Sequence, residues 1–411
     1  MKILLIHQYA GNKGDRAVAF AMCRMLKRIN PSVEITISTT SPQLWEHDVY
    51  FQQNGISFIP CSWDFSEGCS HWYWSILRRF HKYTFTIQRN IYMLLGRSLF
   101  AQFFINPVFL HHLRSANKVI SVGGHHFTTI LARDIVSSIN YDAMAVLTQS
   151  KKLICFSQTF GPFHFFNKKN LYLTKKILSS CSQLYIRESN SIKELNKLGI
   201  TKDKIKSTYE SVLTLHSLIK EYTIPSMRAK RIGISIYATQ KRSVKAHSAY
   251  VSTFARICDH LISQGYEICF FPMEIKGTEP DDRPLIREII SSIKSETSYF
   301  MQDEDTPTEV HLQEVSKCRI FIGHKTHSCI FALVTGTPLV GLAYHAKTRD
   351  FMQQFECDEF CINDEDFTLN NIITIINSIE DNINHIGIHL FSKSQEYCNK
   401  IESNLKDALM I

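Results

Sequence analysis

The sequence predicts an α/β protein of two domains, each built on a parallel, doubly wound sheet. Three observations carry this. The chain has 411 residues, more than one ordinary hydrophobic core holds. Short apolar runs alternate with segments of helical periodicity, as a doubly wound sheet requires. Residues 318–347 read as one complete strand–helix–strand unit. There, 319–322 is an apolar run closed by Gly323, and Ile330, Phe331 and Val334 keep helical spacing. Gly336, Thr337 and Pro338 form a turn, and 339–343 is a second apolar run.

From the N-terminus, residues 1–8 are a strand with core Ile3, Leu4, Leu5 and Ile6. The loop 10–17 carries Gly11 and Gly14 and leads into a helix marked by Val18, Phe20, Ala21, Met25 and Leu26. Its glycines let backbone approach a ligand and the helix start offers amides, but the loop is neither GxGxxG nor a P-loop. Asp15 reads either as an N-cap or as a site residue. Strands follow at 33–38, 118–122, 152–157 and 183–186. The last three run into Gly123-Gly124-His125, Gln158-Thr159 and Arg187-Glu188-Ser189. Residues 217–231, with Pro225 and a basic run, read as a linker. A second sheet starts at 231–235, followed by a helix over 250–263 and a strand over 266–271. Asp281 and Asp282 cap a helix that runs to 293, and 391–411 reads as a terminal helix. The predicted domains are 1–220, with a basic, aromatic insertion at about 65–115, and 221–390. The terminal helix 391–411 is placed as an element able to cross back to the first domain.

Ligands of such sheets bind at the carboxyl ends of the strands. His324, Lys325 and His327 stand at the end of one predicted strand, and Tyr344, His345 and Lys347 at the end of the next. Two basic clusters beside a helix N-terminus point to an anionic ligand. Taken singly, His327 also fits a satisfied core histidine and Lys347 a solvated lysine. Arg187 offers a planar fork for carboxylate or phosphate, with an ion pair to a neighbour as its plainer reading.

The formal charge of +8 suits acidic substrates or an anionic surface, and no nucleic-acid-binding pattern is present, so no nucleic-acid partner is expected. Twelve cysteines without a CxxC pair or zinc spacing fit a reduced, cytoplasmic protein with buried thiols. The apolar start is too short for a signal peptide. Residues 91–110 contain Arg97, Gln102, Asn106 and Pro107, which argues against a membrane span. No acidic residue stands between Glu67 and Asp134, where arginines and lysine alternate with aromatics such as Trp72, Trp74, Phe80 and Tyr83. That segment suits peripheral contact with an anionic membrane surface, or equally a helical insertion with solvated arginines.

Several motifs, in order, resemble the polysaccharide pyruvyl transferase family. They are Asn12-Lys13-Gly14-Asp15, Gly123-Gly124, Ser157-Gln158 with Gly161-Pro162-Phe163, Arg187-Glu188-Ser189, Asp281-Asp282, His327, Gly336-Thr337-Pro338 and Lys347. The resemblance implies two Rossmann-like domains facing a cleft, similar to GT-B glycosyltransferases. It implies transfer of pyruvate from phosphoenolpyruvate onto a sugar or polyprenyl-linked glycan of a bacterial cell-surface polysaccharide, with no metal and no further cofactor. Its catalytic positions fall on His327, Asp15, Arg187 and Lys347. Its substrate-binding positions fall on Asn12, Gly14, Gly123, Gly124, His125, Gln158, Ser189, Lys325 and Ser328. The sequence departs from the family pattern at Lys325, where arginine is usual, at His125 in place of glycine, and at Glu210 in place of aspartate. Two alternatives stand beside this reading. One is a GT-B glycosyltransferase using a nucleotide sugar, with Glu274 and Glu279 in the general place of a ribose ligand. The other is a catalytically decayed glycan-binding relative. Location at the cytosolic face of the inner membrane follows as an expectation from the insertion.

Overall fold

The computed structural model describes the chain except residues 10, 46–47, 66–75, 77–86, 88–89, 91–92, 95–102, 130–137, 241, 276–279, 296–298, 303, 344–345 and 411. Most of the basic, aromatic insertion, and with it the expected membrane contact, lies outside the described residues, as do Tyr344, His345 and Glu279.

The chain divides into two compact units. One comprises Met1–Ala10, Val18–Ser211 and Lys400–Ile411, the other Gly11–Ala17 and Val212–Asn399. A strand in the middle of a parallel sheet is buried on both faces and is therefore apolar throughout. In the first unit β1 (Lys2–Gln8) is buried from Ile3 onward. It is followed by α1 (Lys13–Ile29), β2 (Glu34–Thr39), α2 (Val49–Gln53), β3 (Ser57–Pro60), α3 (Pro107–Ser115) and β4 (Lys118–Val122). Then come α4 (Ser138–Thr148), β5 (Leu153–Gln158), α5 (Lys168–Ser180), β6 (Gln183–Ile186), α6 (Ser189–Leu198) and β7 (Ile205–Ser207). The seven strands are parallel in the order β3-β2-β1-β4-β5-β6-β7. Leu4 of β1 pairs with Thr36 on one side and Val119 on the other.

The second unit repeats the scheme with β8 (Arg231–Ser235), α7 (Val244–Ser263), β9 (Glu267–Phe270), α8 (Asp282–Ser292), β10 (Tyr299–Met301), α9 (Thr308–Ser316) and β11 (Ile320–Gly323). It continues through α10 (Thr326–Val334), β12 (Leu339–Ala343), α11 (Ala346–Gln354), β13 (Cys361–Asn363), α12 (Leu369–Asp381) and α13 (Ile383–Met410). Its six parallel strands run β10-β9-β8-β11-β12-β13. The expected strand–helix–strand unit is β11-α10-β12, with Phe321 paired to Leu339 and Gly323 to Gly341.

Four differences from the sequence reading have physical causes. Strands β3, β7, β10 and β13 escaped prediction, and all four are sheet edges of only three or four residues, too short for a pattern to stand out. Helix α7 starts at Val244, ahead of the expected 250, because its first turn is largely exposed and so outside the apolar face, and is fixed by Ser243, whose hydroxyl accepts from the Ala246 amide at 3.3 Å. The terminal helix starts at Ile383 rather than 391, and its last residues, from Lys400, belong to the first unit.

The fourth difference is the segment expected to be a linker. It folds as short 3-10 turns, Ser211–Leu218 and Pro225–Met227, and its Arg228 is buried. The Arg228 guanidinium donates to Thr223 O (2.9 Å), Cys318 O (2.9 Å), Thr337 Oγ1 (2.7 Å) and Thr335 O (3.2 Å). One side chain thus holds the Gly336-Thr337-Pro338 turn. Gly336 has φ +59° there, and an added Cβ would lie 2.9 Å from Gly387 O. Replacing Arg228 by leucine strands several buried carbonyls. We expect a loss of about 3 kcal/mol or more in denaturant unfolding, partly restored by lysine. A loss below about 1 kcal/mol would show that the turn is held by other contacts.

Candidate functional site

An open parallel sheet forms its ligand crevice where strand order reverses, beyond the carboxyl ends. In the first unit that point lies between β1 and β4, in the second between β8 and β11.

At the first unit's switch point, β1 ends in His7 and Gln8. His7 has φ +69°, and its Nδ1 is 2.7 Å from Ser121 Oγ. Strand β4 ends in Gly123 (φ +54°) and Gly124 (φ +76°). Both need glycine: a Cβ on Gly123 would sit 2.4 Å from Val18 Cγ1, and one on Gly124 2.4 Å from His126 Nε2. His125 is half-buried with Nε2 2.5 Å from Gly161 O. Gln158 is fully buried at the end of β5. Its Nε2 donates to Ser121 Oγ, and its Oε1 has no partner among the described residues. Arg187, just past β6, is buried. Its Nε donates to Thr159 Oγ1 at 2.9 Å and its Nη1 pairs with the fully buried Glu210 carboxylate. The ion-pair reading of Arg187 therefore has a named partner, Glu210. Ser189 is exposed at the first position of α6.

Residues 11–17, the end of the loop and the first turn of α1, belong to the second unit. Asn12, not Asp15, caps α1: its Oδ1 accepts from the Gly14 amide at 2.7 Å while its Nδ2 donates to Glu274 Oε2 at 2.9 Å. Asp15 stands in the first turn of α1, half-buried. The Lys13 amide donates to Met273 O at 2.9 Å. Two of the amides at this helix start are thus occupied from within the fold. Gly14 lies directly under His327, where an added Cβ would be 2.3 Å from the imidazole Cγ. The structure therefore brings Asn12, Gly14 and His327 together.

Lys325 precedes α10 and is buried, with Nζ 3.0 Å from Asp282 Oδ2. Asp282 is fully buried and also accepts from the amides of Ala238 (3.2 Å), Met273 (3.0 Å) and Glu274 (2.9 Å). Ser328 is buried and its hydroxyl donates to Lys325 O at 2.6 Å. Thr326 Oγ1 lies 3.0 Å from Thr348 Oγ1, which sets the starts of α10 and α11 side by side. His327 and Lys347, both half-buried, are the immediate neighbours of that contact.

Behind this turn His324 is fully buried. Tyr250 Oη accepts from the Tyr237 amide (3.1 Å) and lies 2.8 Å from His324 Nδ1. The Asp364 carboxylate, which only accepts, faces Nε2 at 3.1 Å, so the ring N–H is on Nε2 and Nδ1 accepts from the Tyr250 hydroxyl. Burial holds His324 below its ordinary 6.5 against the opposing pull of Asp364.

Sequence reasoning passed over Lys13, His311 and the pairing of Lys325 with Asp282. Lys13 is buried, and desolvation brings its pKa down to about 8. His311 is fully buried against Phe331 and Phe271. Burial, with the charge of Lys13, keeps it well below 6.5. Among the described residues no group of three or more His, Cys, Asp or Glu is arranged for a metal, and no helix is long and apolar enough to cross a membrane. The described cysteines are free and buried.

Two parallel sheets flanked by helices, each with a polar switch point, define a GT-B-like enzyme of two Rossmann-like domains. Solved structures share that fold. The UDP-GlcNAc 2-epimerase of Neisseria meningitidis bound to UDP-GlcNAc matches with TM-score 0.60 and 11% identity, over 100% of both chains. HepE of Anabaena in complex with UDP-glucose matches with TM-score 0.59 and 11% identity, over 100% of this chain and 99% of that one. MnaA of S. aureus with UDP matches with TM-score 0.57 and 10% identity, over 98% and 97%. Identities this low show the fold alone. In sequence, the amylovoran biosynthesis protein AmsJ of Erwinia amylovora is 23% identical over 294 residues, 68% of this chain and 69% of that protein. The profile of the polysaccharide pyruvyl transferase family matches residues 12–346. The chain belongs to that family, and it is a transferase of polysaccharide biosynthesis.

Two outcomes follow from the site's buried charges. Asp282→Ala leaves the Lys325 ammonium buried and unpaired and should cost about 3–5 kcal/mol of stability. Adding Lys325→Met should cost clearly less than the sum of the single changes, and a strictly additive cycle would rule out the pair as a unit. His311 gives a pH signature. Its folded pKa is below its unfolded value, so its contribution is complete above about 6.5 and falls as pH falls, by up to roughly 1.4 kcal/mol per pH unit. His311→Phe should flatten the loss of stability between pH 6.5 and pH 5. Parallel curves for variant and wild type would exclude this assignment.

Proposed function

We propose that the enzyme transfers pyruvate from phosphoenolpyruvate to two hydroxyls of a sugar in a cell-surface polysaccharide precursor. One proton goes to the methylene carbon, the two sugar oxygens bond to the adjacent carbon, and phosphate leaves with the second proton, giving a cyclic ketal. The observation that supports this most is the family match over residues 12–346. The packing of His327 on Gly14 fits it. On this reading His327 delivers the proton to carbon as general acid, because a histidine titrates near working pH. Arg187, oriented by Thr159 and Glu210, takes the carboxylate. Lys347 stabilises the departing phosphate, and Asp15 orients or deprotonates the acceptor hydroxyl. A peripheral position on an anionic membrane surface, through the basic and aromatic segment, places the enzyme near lipid-linked acceptors.

A second reading, a nucleotide-sugar donor, has its own support. The named fold relatives carry UDP or a UDP-sugar. One cation expected to meet phosphoenolpyruvate, Lys325, is 3.0 Å from a resident carboxylate. On the likeness of fold this reading is the better supported of the two.

A thermal-shift panel of phosphoenolpyruvate, UDP, GDP and CMP separates them. A ligand at about 100 times its Kd stabilises the fold by roughly 2.7 kcal/mol. Stabilisation by phosphoenolpyruvate, together with a loss of turnover of about 100- to 10,000-fold in His327→Ala, is the expected result. A response to a nucleotide and none to phosphoenolpyruvate would replace pyruvyl transfer by glycosyl transfer. Turnover of His327→Ala within a few-fold of wild type would remove the acid role.

A further inference from the structure

The second unit contains two buried lysines with opposite surroundings. Lys325 is 7% exposed and has a resident carboxylate, Asp282. Lys13 is 5% exposed, and the partner of its Nζ is the Thr306 hydroxyl at 3.0 Å. An ammonium has three N–H donors, and among the described residues no carboxylate lies within ion-pair distance of this one. The nearby Asp305 is bonded to Arg16 at 2.8 Å instead. A buried charge so poorly matched is costly unless something else completes it.

A second deficit lies close by. His311 is 1% exposed, Lys13 is near enough for its charge to act on the ring, and neither ring nitrogen has a hydrogen-bond partner among the described residues. A buried ammonium with spare donors and a buried imidazole without partners therefore lie near each other. The next residue after Lys13 is Gly14, on which His327 rests. These donors therefore belong to the same corner of the second unit as the candidate acid.

We propose that Lys13 is the cation of the second unit that binds the phosphate of the donor substrate, with His311 beside it, while Lys325 holds the turn through Asp282. The inference rests on the reading that the donor carries a phosphate, which phosphoenolpyruvate and a nucleoside diphosphate share. A phosphate oxygen would supply the acceptors that Lys13 lacks and restore the pairing its burial has removed. Burial lowers the Lys13 pKa to about 8, and an anion bound beside the ammonium would oppose that shift.

The test is isothermal titration of phosphoenolpyruvate, UDP and inorganic phosphate into wild type and Lys13→Met, with melting curves as the folding control. In parallel, amine-selective acylation of wild type at pH 8 is read at Lys13 by mass spectrometry, with and without each probe, which needs no variant to fold. We expect at least one probe to bind, Lys13→Met to weaken it by about 10-fold or more, and the same probe to slow acylation of Lys13. If that probe is UDP alone, the Lys13 inference stands and the pyruvyl donor falls. If phosphoenolpyruvate binds wild type and Lys13→Met equally, or leaves Lys13 acylation unchanged, the Lys13 inference falls and the pyruvyl reading stands. Binding of none of the three probes overturns the Lys13 inference as well.

Discussion

The second sheet's carboxyl edge depends on one fully buried carboxylate. Asp282 accepts the amide of Ala238 beyond β8, the amides of Met273 and Glu274 beyond β9, and the ammonium of Lys325 between β11 and α10. Alone, a carboxylate removed from water costs several kcal/mol, and only a full set of donors offsets that. Here four donors from three strand ends converge on it, and the charge assistance makes each bond stronger than its neutral counterpart. The sheet ends are therefore not independent loops. They share one anion, and its removal releases all of them together.

The same carboxylate reaches the candidate acid by two routes. Through Lys325 it holds the residue two places before His327. Through Met273 and Glu274 it holds the backbone that receives the loop 11–17: Lys13 N bonds to Met273 O, and the Asn12 amide group to Glu274 Oε2. That segment carries Gly14, under the imidazole of His327. The contacts close into a ring running from Asp282 through residues 273–274, Asn12 and Gly14 to His327, and back through Lys325. A ring of this type fixes a side chain from both sides, which is what acid–base chemistry asks of its support. The Tyr250–His324–Asp364 chain braces the same turn from behind, with its tautomer set by the Asp364 carboxylate.

How much of this was legible in sequence follows from where each residue lies. Strands β1, β4, β5, β8, β11 and β12 are central, buried on both faces, and announce themselves as apolar runs. The edge strands β3, β7, β10 and β13 have one neighbour each and are only three or four residues long, so periodicity is silent about them. The site divides in the same way. Asn12, Gly14, His327 and Lys347 stood out as candidates because strand ends and glycine turns mark the carboxyl edge. The partner of Lys325 was not, because Asp282 already had an adequate local explanation as a helix-capping residue. The cap is Asp281, whose carboxylate accepts from the Arg283 amide at 2.9 Å. Lys13 was passed over for a related reason: a lysine is solvated by default, and only the packing of two distant segments around it shows otherwise. Its position between Asn12 and Gly14, inside the glycine loop, was the one available signal.

Shared architecture does not choose the donor. Structures of the same fold at 10–11% identity carry UDP or UDP-sugars, and a two-sheet scaffold hosts many chemistries at equivalent edges. The distinction lies in which anions the edges match. Either donor presents phosphate, for which a lysine, a compact point charge, is sufficient. Phosphoenolpyruvate adds a carboxylate one carbon away, and a carboxylate is best met by a guanidinium whose plane is already set. Arg187 has such a plane, pinned through Nε by Thr159 and through Nη1 by Glu210. Its pairing with Glu210 cancels much of its long-range attraction, so it is poorly suited to drawing in a nucleotide by charge and better suited to recognising one carboxylate by geometry at short range. On the proposed reading, Arg187 is the residue at which the two donors would be told apart.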